Sequence, residues 1–190
     1  ETAALLFGLG RAQVALLRRE EAWASLYRAF NYCIEVGDVA GAIAAAEGPV
    51  FFSLPSRYVE TAELITRALA LVTPESHEAG RLLSCYGRIL GRMGEGDYDA
   101  AKEALDRALS IAERDGDTAL EAETQANATV VDWWHFHWHE SVQKGLRAIE
   151  LAGRTDNPYA ELTARWHVAL ALCVIGDSER ARHQAAAQLA

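Results

Sequence analysis

Tyr98-Asp99-Ala100-Ala101-Lys102-Glu103-Ala104-Leu105-Asp106-Arg107-Ala108-Leu109-Ser110-Ile111-Ala112-Glu113 is the stretch that decides how this chain folds. Ala101, Ala104, Leu105, Ala108, Leu109 and Ala112 fall at i, i+3, i+4, i+7, i+8 and i+11, which is one apolar face of an amphipathic helix. Its Arg107-Ala108-Leu109 triplet has counterparts in Arg28-Ala29-Phe30, Arg67-Ala68-Leu69 and Arg147-Ala148-Ile149, so the four stand 39, 40 and 40 residues apart. A beat of about 20 to 50 residues marks stacked supersecondary units, each too small to bury its apolar face without its neighbours.

Each helix bearing the triplet follows a second segment of helical periodicity, as Leu162 to Ile175 illustrates, so the unit is a helical hairpin. Gly37-Asp38 and Gly116-Asp117 put a glycine beyond one helix and a capping carboxylate before the next. Thr73-Pro74 and Asn157-Pro158 mark two further starts, with proline at the first helical position, where its missing donor has no partner to lose. The four boundaries predict one all-α superhelical solenoid of five hairpins over residues 1–37, 38–73, 74–116, 117–155 and 156–190.

Small residues recur where paired helices must approach: Gly10, Ala22 and Ala29, then Gly87, Ala101 and Ala108, then Ala169, Ala181 and Gln188. The longer first gap in the middle set comes from the turn Met93-Gly94-Glu95-Gly96-Asp97. The second unit is interrupted by Gly48-Pro49 and Leu54-Pro55, so its first helix should end near Glu47, with Phe51, Phe52 and Leu54 tucked against the core.

The pattern Leu9-Gly10, Ala22, Leu26, Ala29, repeated as Tyr86-Gly87, Gly96, Tyr98, Ala101, Leu105, Ala108, resembles the tetratricopeptide repeat. The period departs from the 34 residues of that repeat. Units of about 40 resemble the longer variants in the sensory regions of large LuxR-type, maltose-regulator-like bacterial transcription regulators. Val59 to Leu69 leading into Pro74-Glu75-Ser76, and Gly145 to Ala152 after an aromatic turn, are similar to segments of such proteins. The resemblance implies a regulatory interaction module beside an ATPase and a helix-turn-helix, with flanking domains of the same chain among its partners. The alternative is a structural or oligomerisation scaffold in a kinase- or cyclase-linked signalling protein, joined to other copies through its repeat ends.

Eighteen basic against twenty-seven acidic residues give a net charge of −9, which disfavours direct nucleic-acid binding. The longest apolar run, Val168 to Ile175, falls short of the roughly 18 residues a membrane helix needs. Neither a secretory signal nor a disulfide framework is evident, and Cys33, Cys85 and Cys173 read as reduced, buried thiols in a cytoplasmic protein. Both ends lie inside apolar helical patterns, which suggests a piece of a longer protein.

Asp132-Trp133-Trp134-His135-Phe136-His137-Trp138-His139-Glu140 is the densest chemical cluster. His135 and His139 are the candidate metal ligands, but repeat phase puts Phe136 at the turn, so the two should lie on different helices or in the turn itself. Arg81, Arg88 and Arg92 share a face of the third unit's first helix. Together with Arg11, Gln125, Asp132, Trp133 and Trp166 they would line a concave groove able to grip an acidic or aromatic protein or small-molecule effector. The recurring arginines are assigned to stacking, their stems covering apolar surface and their guanidinium groups meeting carboxylates. No phosphate loop or ordered nucleophile set is found, so neither a cofactor nor an enzyme activity is expected.

Overall fold

The computed structural model describes residues 2–48, 55–93 and 98–186, and these form ten α-helices and one 3-10 turn. The helices are α1 (Thr2–Ala15), α2 (Arg19–Val36), α3 (Val39–Glu47), α4 (Tyr58–Leu69), α5 (His77–Leu90), α6 (Tyr98–Asp115), α7 (Thr118–Trp134), α8 (Trp138–Thr155), α9 (Pro158–Val174) and α10 (Ser178–Ala186). Each helix packs on the next in sequence, and α3, α5, α7 and α9 also pack on one another in a row. The chain is thus an all-α stack of helical hairpins in which α3, α5, α7 and α9 form one continuous layer.

The turns follow from local chemistry. Gly37 and Gly116 adopt left-handed φ values of +72° and +65°, and the Asp38 and Asp117 side chains accept from amides of α3 and α7. Asn157 caps α9 at the Ala160 amide, with Pro158 as the first helical residue. The start of α5 differs from the expectation at Thr73-Pro74. That dipeptide sits in a turn closed by Ser76 N–H donating to Thr73 C=O, and the Ser76 hydroxyl is the cap, accepting from Ala79 N–H at 3.1 Å. The extended backbone of Ser76 aims its side chain back at the third helical amide, which Thr73 is too far upstream to reach. Helix α3 ends at Glu47. The expected tucking of Phe51, Phe52 and Leu54, the four residues Gly94 to Asp97 of the lengthened turn, and Gln188 lie outside the described residues.

Close packing explains the small residues. A Cβ on Gly87 would meet Leu105 Cγ at 2.6 Å and the Ala101 carbonyl oxygen at 2.8 Å, and one on Gly10 would meet Leu26 Cγ at 2.9 Å. Helix α8 supplies a matched test. A Cβ on Gly145 would lie 2.2 Å from Val168 Cγ2, whereas Gly153 has nothing within 4 Å. Gly145→Ala is therefore expected to destabilise by about 2 kcal/mol through overpacking, although alanine is the better helix former. Gly153→Ala should stabilise by up to about 1 kcal/mol. Thermal melts of the two variants should move in opposite directions.

Of the repeated arginines, Arg67 ties its unit to the preceding one, whereas Arg107 and Arg147 join the two helices of their own hairpins or neighbouring turns. Arg67 donates to Asn31 Oδ1 and lies 4.8 Å over the Phe30 ring, Arg107 reaches Glu75 Oε1 at 3.2 Å, and Arg147 pairs with Glu121 and Glu150. Cys33 and Cys85 are buried, but Cys173 is exposed, contrary to expectation, because its position on α9 faces an open groove shared with Trp166, Ala169 and Ala181. No helix of the described residues is long and apolar enough to cross a membrane.

Candidate functional site

The layer formed by α5, α7 and α9 carries a chain of polar contacts through three successive units. Arg88, on α5, is only 7% exposed. Its Nη1 donates to Asn127 Oδ1 on α7 at 2.9 Å and to Tyr159 Oη on α9 at 2.6 Å, and Asn127 Nδ2 donates to Ser84 Oγ on α5 at 3.0 Å. Every one of these partners is neutral. Among the described residues Arg88 forms no ion pair, and its Nε has no acceptor. Arg92, one turn on, lies 5.4 Å from the Tyr58 ring and 5.1 Å from the Trp134 ring. Burial, reinforced by the neighbouring Arg88 charge, lowers the pKa of Arg92 from the usual arginine range.

The other expected groove residues divide. Arg81 pairs with Glu47 of α3, a nearly buried carboxylate whose pKa is raised because burial outweighs the attraction of Arg81. Glu123 on α7 is likewise raised by burial, against the pull of Arg81 and Arg88. Arg11 lines a cleft of about 460 Å³ with Phe7, Val14, Leu26, Glu47 and Arg81, so Arg11 and Arg81 do share a site. Gln125 has a buried Oε1 that accepts from no donor among the described residues. Trp133 packs edge-on against Trp134, Trp138 and His167, and its indole N–H has no acceptor among the described residues. Trp166 is 56% exposed and lines a separate groove between α9 and α10.

Asp132 is not a groove residue. At 1% exposure it accepts from Tyr98 Oη at 3.0 Å and pairs with Lys144 Nζ at 2.7 Å, joining α6, α7 and α8. Burial, then the Asp132 charge, pushes the Tyr98 phenol well above its ordinary range. His135 and His139 flank the turn at Phe136, whose φ is +64°. His135 Nε2 donates to the Gly91 carbonyl at 2.8 Å, and no cluster of three or more metal-ligating side chains occurs among the described residues.

Sequence reasoning found the arginines and missed what holds them, Asn127, Tyr159 and Tyr58, and the His167 imidazole that feels their charge. One signal was available. Arg88, Asn127 and His167 stand 39 and 40 residues apart, on the same beat as the arginine-alanine pairs, and so occupy equivalent places in three units. Tyr159 follows no such register, because its reach to Arg88 crosses 71 residues from the first turn of α9.

His167 gives the site a measurable pH dependence. Its Nδ1 donates to the Thr163 carbonyl at 2.8 Å, and burial, helped by the charges of Arg88 and Arg92, lowers its pKa to about 4 from 6.5. Between those values the unfolded chain binds the proton and the folded chain does not, so this contribution falls as pH drops from 6.5 to about 4, by on the order of 3 kcal/mol. Glu47 and Glu123, with raised values, work in the opposite sense at the acidic end. The test is the difference between parent and His167→Gln in urea melts at pH 7 and pH 4.5. The parent should lose more stability on acidification, and equal losses would overturn the assignment.

No protein-family model matches this chain, and no curated protein matches it either.

Proposed function

We propose that this chain is a non-enzymatic tetratricopeptide-like interaction module of a large LuxR-type regulator of the maltose-regulator kind, acting in the cytoplasm. Its inner helical layer takes a protein or small-molecule effector and biases the flanking domains of the same protein. The observation that carries this reading is the polar chain through α5, α7 and α9, in which buried Arg88 donates to Asn127 and Tyr159 across three units, while the buried Trp133 indole N–H on α7 has no hydrogen-bond acceptor among the described residues. Effector contacts spanning several units change how those units stack, and the equilibrium shifts by the difference in affinity for the two arrangements. Deleting α5 to α9 from the full-length protein, or replacing Trp133 and Tyr159 by alanine there, should change its ATPase rate or DNA affinity in the presence of its inducing signal. Unchanged output would sink this reading.

An oligomerisation scaffold is the second reading, favoured by apolar surface at both ends of the stack. Leu5, Leu9, Leu16 and Leu17 are exposed near α1, as are Leu162, Trp166 and Val174 on α9. Sedimentation that shifts with concentration, and returns to monomer in Leu5→Lys/Leu9→Lys, would select it; a concentration-independent monomer would reject it.

A further inference from the structure

We infer that the cleft of about 460 Å³ between α1, α3 and α5 binds a zwitterionic amino acid with an apolar side chain, its ammonium group donating to Glu47 and its carboxylate meeting Arg11. The site stands apart from the polar chain through α5, α7 and α9, and only its regulatory meaning rests on the interaction-module reading.

The cleft has the size of a small-molecule site, for which volumes of about 300 to 1,000 Å³, mostly apolar walls and a few placed polar groups are usual. Phe7, Arg11 and Val14 stand at i, i+4 and i+7, so one face of α1 forms a wall. The space exists because α3 presents Ala44 there in place of a larger side chain. Leu26 makes the floor. It is 2% exposed and so closely clasped that a Cβ would lie 2.9 Å from its Cγ at Gly10 and 2.8 Å from its Cδ1 at Gly48. Phe7, Val14 and Leu26 thus offer a packed apolar surface to a branched or aromatic side chain.

The polar demand is set by Glu47. At 7% exposure it gives Oε2 to Arg81, while Oε1 is buried with no hydrogen-bond partner among the described residues. An ionised carboxylate accepts on both oxygens, and a buried acceptor left unmatched is costly. Burial raises the Glu47 pKa despite the pull of Arg81, so the positive charge beside it falls short of what the carboxylate needs. An ammonium group supplies both the donor and the charge. Arg11 makes the opposite demand, since its guanidinium is exposed on the same cleft and forms no ion pair among the described residues. Arg81, whose side chain is 44% exposed, keeps N–H groups beyond the Nη2 that meets Glu47. A carboxylate that lacks a cation, an arginine that lacks an anion and an apolar wall match the two charged groups and the side chain of one apolar amino acid. A fatty acid would bring a like charge to Glu47 and leave Oε1 unmatched. An alkylamine would leave Arg11 unanswered.

The 190-residue chain is titrated by calorimetry with L-leucine and L-phenylalanine. The comparison compounds are 4-methylpentanoate, which is leucine without its amine, 3-methylbutylamine, which is leucine without its carboxylate, and glycine, which keeps both charges and has no apolar body. Saturable binding of at least one of the two apolar amino acids, at least tenfold tighter than any comparison compound, is expected. Glu47→Gln, nearly equal in volume, should weaken that binding at least tenfold. Arg11→Gln should do the same and bring the amino acid down to the level of 3-methylbutylamine. Ala44→Leu, which fills the cleft, should block binding without lowering the melting temperature, so that loss of the site is separated from loss of the fold. No saturable binding of either amino acid, equal binding of a comparison compound, or binding that survives Glu47→Gln or Arg11→Gln would overturn the site. If amino acids fail to bind while the full-length protein still depends on α5 to α9, the site falls and the module reading stands. If they bind and output ignores that layer, the site stands and the regulatory reading falls.

Discussion

Phe30→Ala is expected to cost about 4 kcal/mol, a large share of the roughly 5 to 15 kcal/mol by which a domain is stable. Phe30 is fully buried and joins a single core cluster with Ile43 and Ala46 of α3, Ala62 and Ile65 of α4, and Cys85 and Ile89 of α5. The second unit depends on this cluster more than the others do. Its first helix, α3, has nine residues, and most of its buried positions are alanines, so it brings little side-chain volume of its own. Phe30 fills the space those alanines leave, and the Arg67 guanidinium lies over its ring from α4. Removing the ring opens a cavity that α3 has no larger side chain to fill, and it strips Arg67 of its aromatic support. The loss should also be local. In a stack held by neighbour contacts, weakening one junction frees the units on either side before distant ones. Hydrogen exchange of Phe30→Ala is expected to speed up by at least tenfold in α2 to α4 while α7 to α9 keep their protection. Uniform acceleration through α9 would mean that the stack unfolds as one block. Phe30→Leu, which keeps most of the volume, should show the same pattern more weakly.

What could be read in the sequence, and what could not, follows from the range of each interaction. Apolar periodicity is a property of one helix, so the face containing Ala101, Ala104, Leu105, Ala108 and Ala112 was visible directly, and these residues are buried. Caps act within a few residues, which made Asp38, Asp117 and Asn157 legible. Thr73 misled because two capping residues lie three apart and only backbone conformation decides between them. The candidate site was half legible. Helix phase places Arg88 and Arg92 on the inner layer, but it does not say whether a long side chain ends in water or between two neighbouring helices. That is decided by side chains such as Tyr159, 71 residues on and two hairpins away. Asp132 shows the same limit in reverse, since a carboxylate beside three tryptophans reads as a ligand contact until Lys144 and Tyr98 are seen to claim it.

Asp132→Ala is therefore expected to act on stability, at about 4 kcal/mol, and not on binding. Breaking a buried ion pair from one side leaves the other partner desolvated, which is why such losses reach about 3 to 5 kcal/mol even where the intact pair contributes little. Here two partners are abandoned at once: the Lys144 ammonium, 30% exposed, and the Tyr98 hydroxyl, which donates to Asp132 Oδ1. Tyr98 in turn packs against the rings of His135 and His137 at 4.9 and 4.5 Å, so the aromatic turn between α7 and α8 loses its anchor to α6. Lys144→Met should cost less, because Asp132 keeps the tyrosine hydroxyl. The double variant Asp132→Ala/Lys144→Met should recover more than 1 kcal/mol relative to the sum of the single variants, since it leaves no unpaired charge behind. Urea melts of the four proteins close this cycle. If Asp132→Ala instead lies within about 0.5 kcal/mol of the parent, as exposed substitutions do, the carboxylate is not holding the three helices together, and the groove role first read from the sequence would regain its claim.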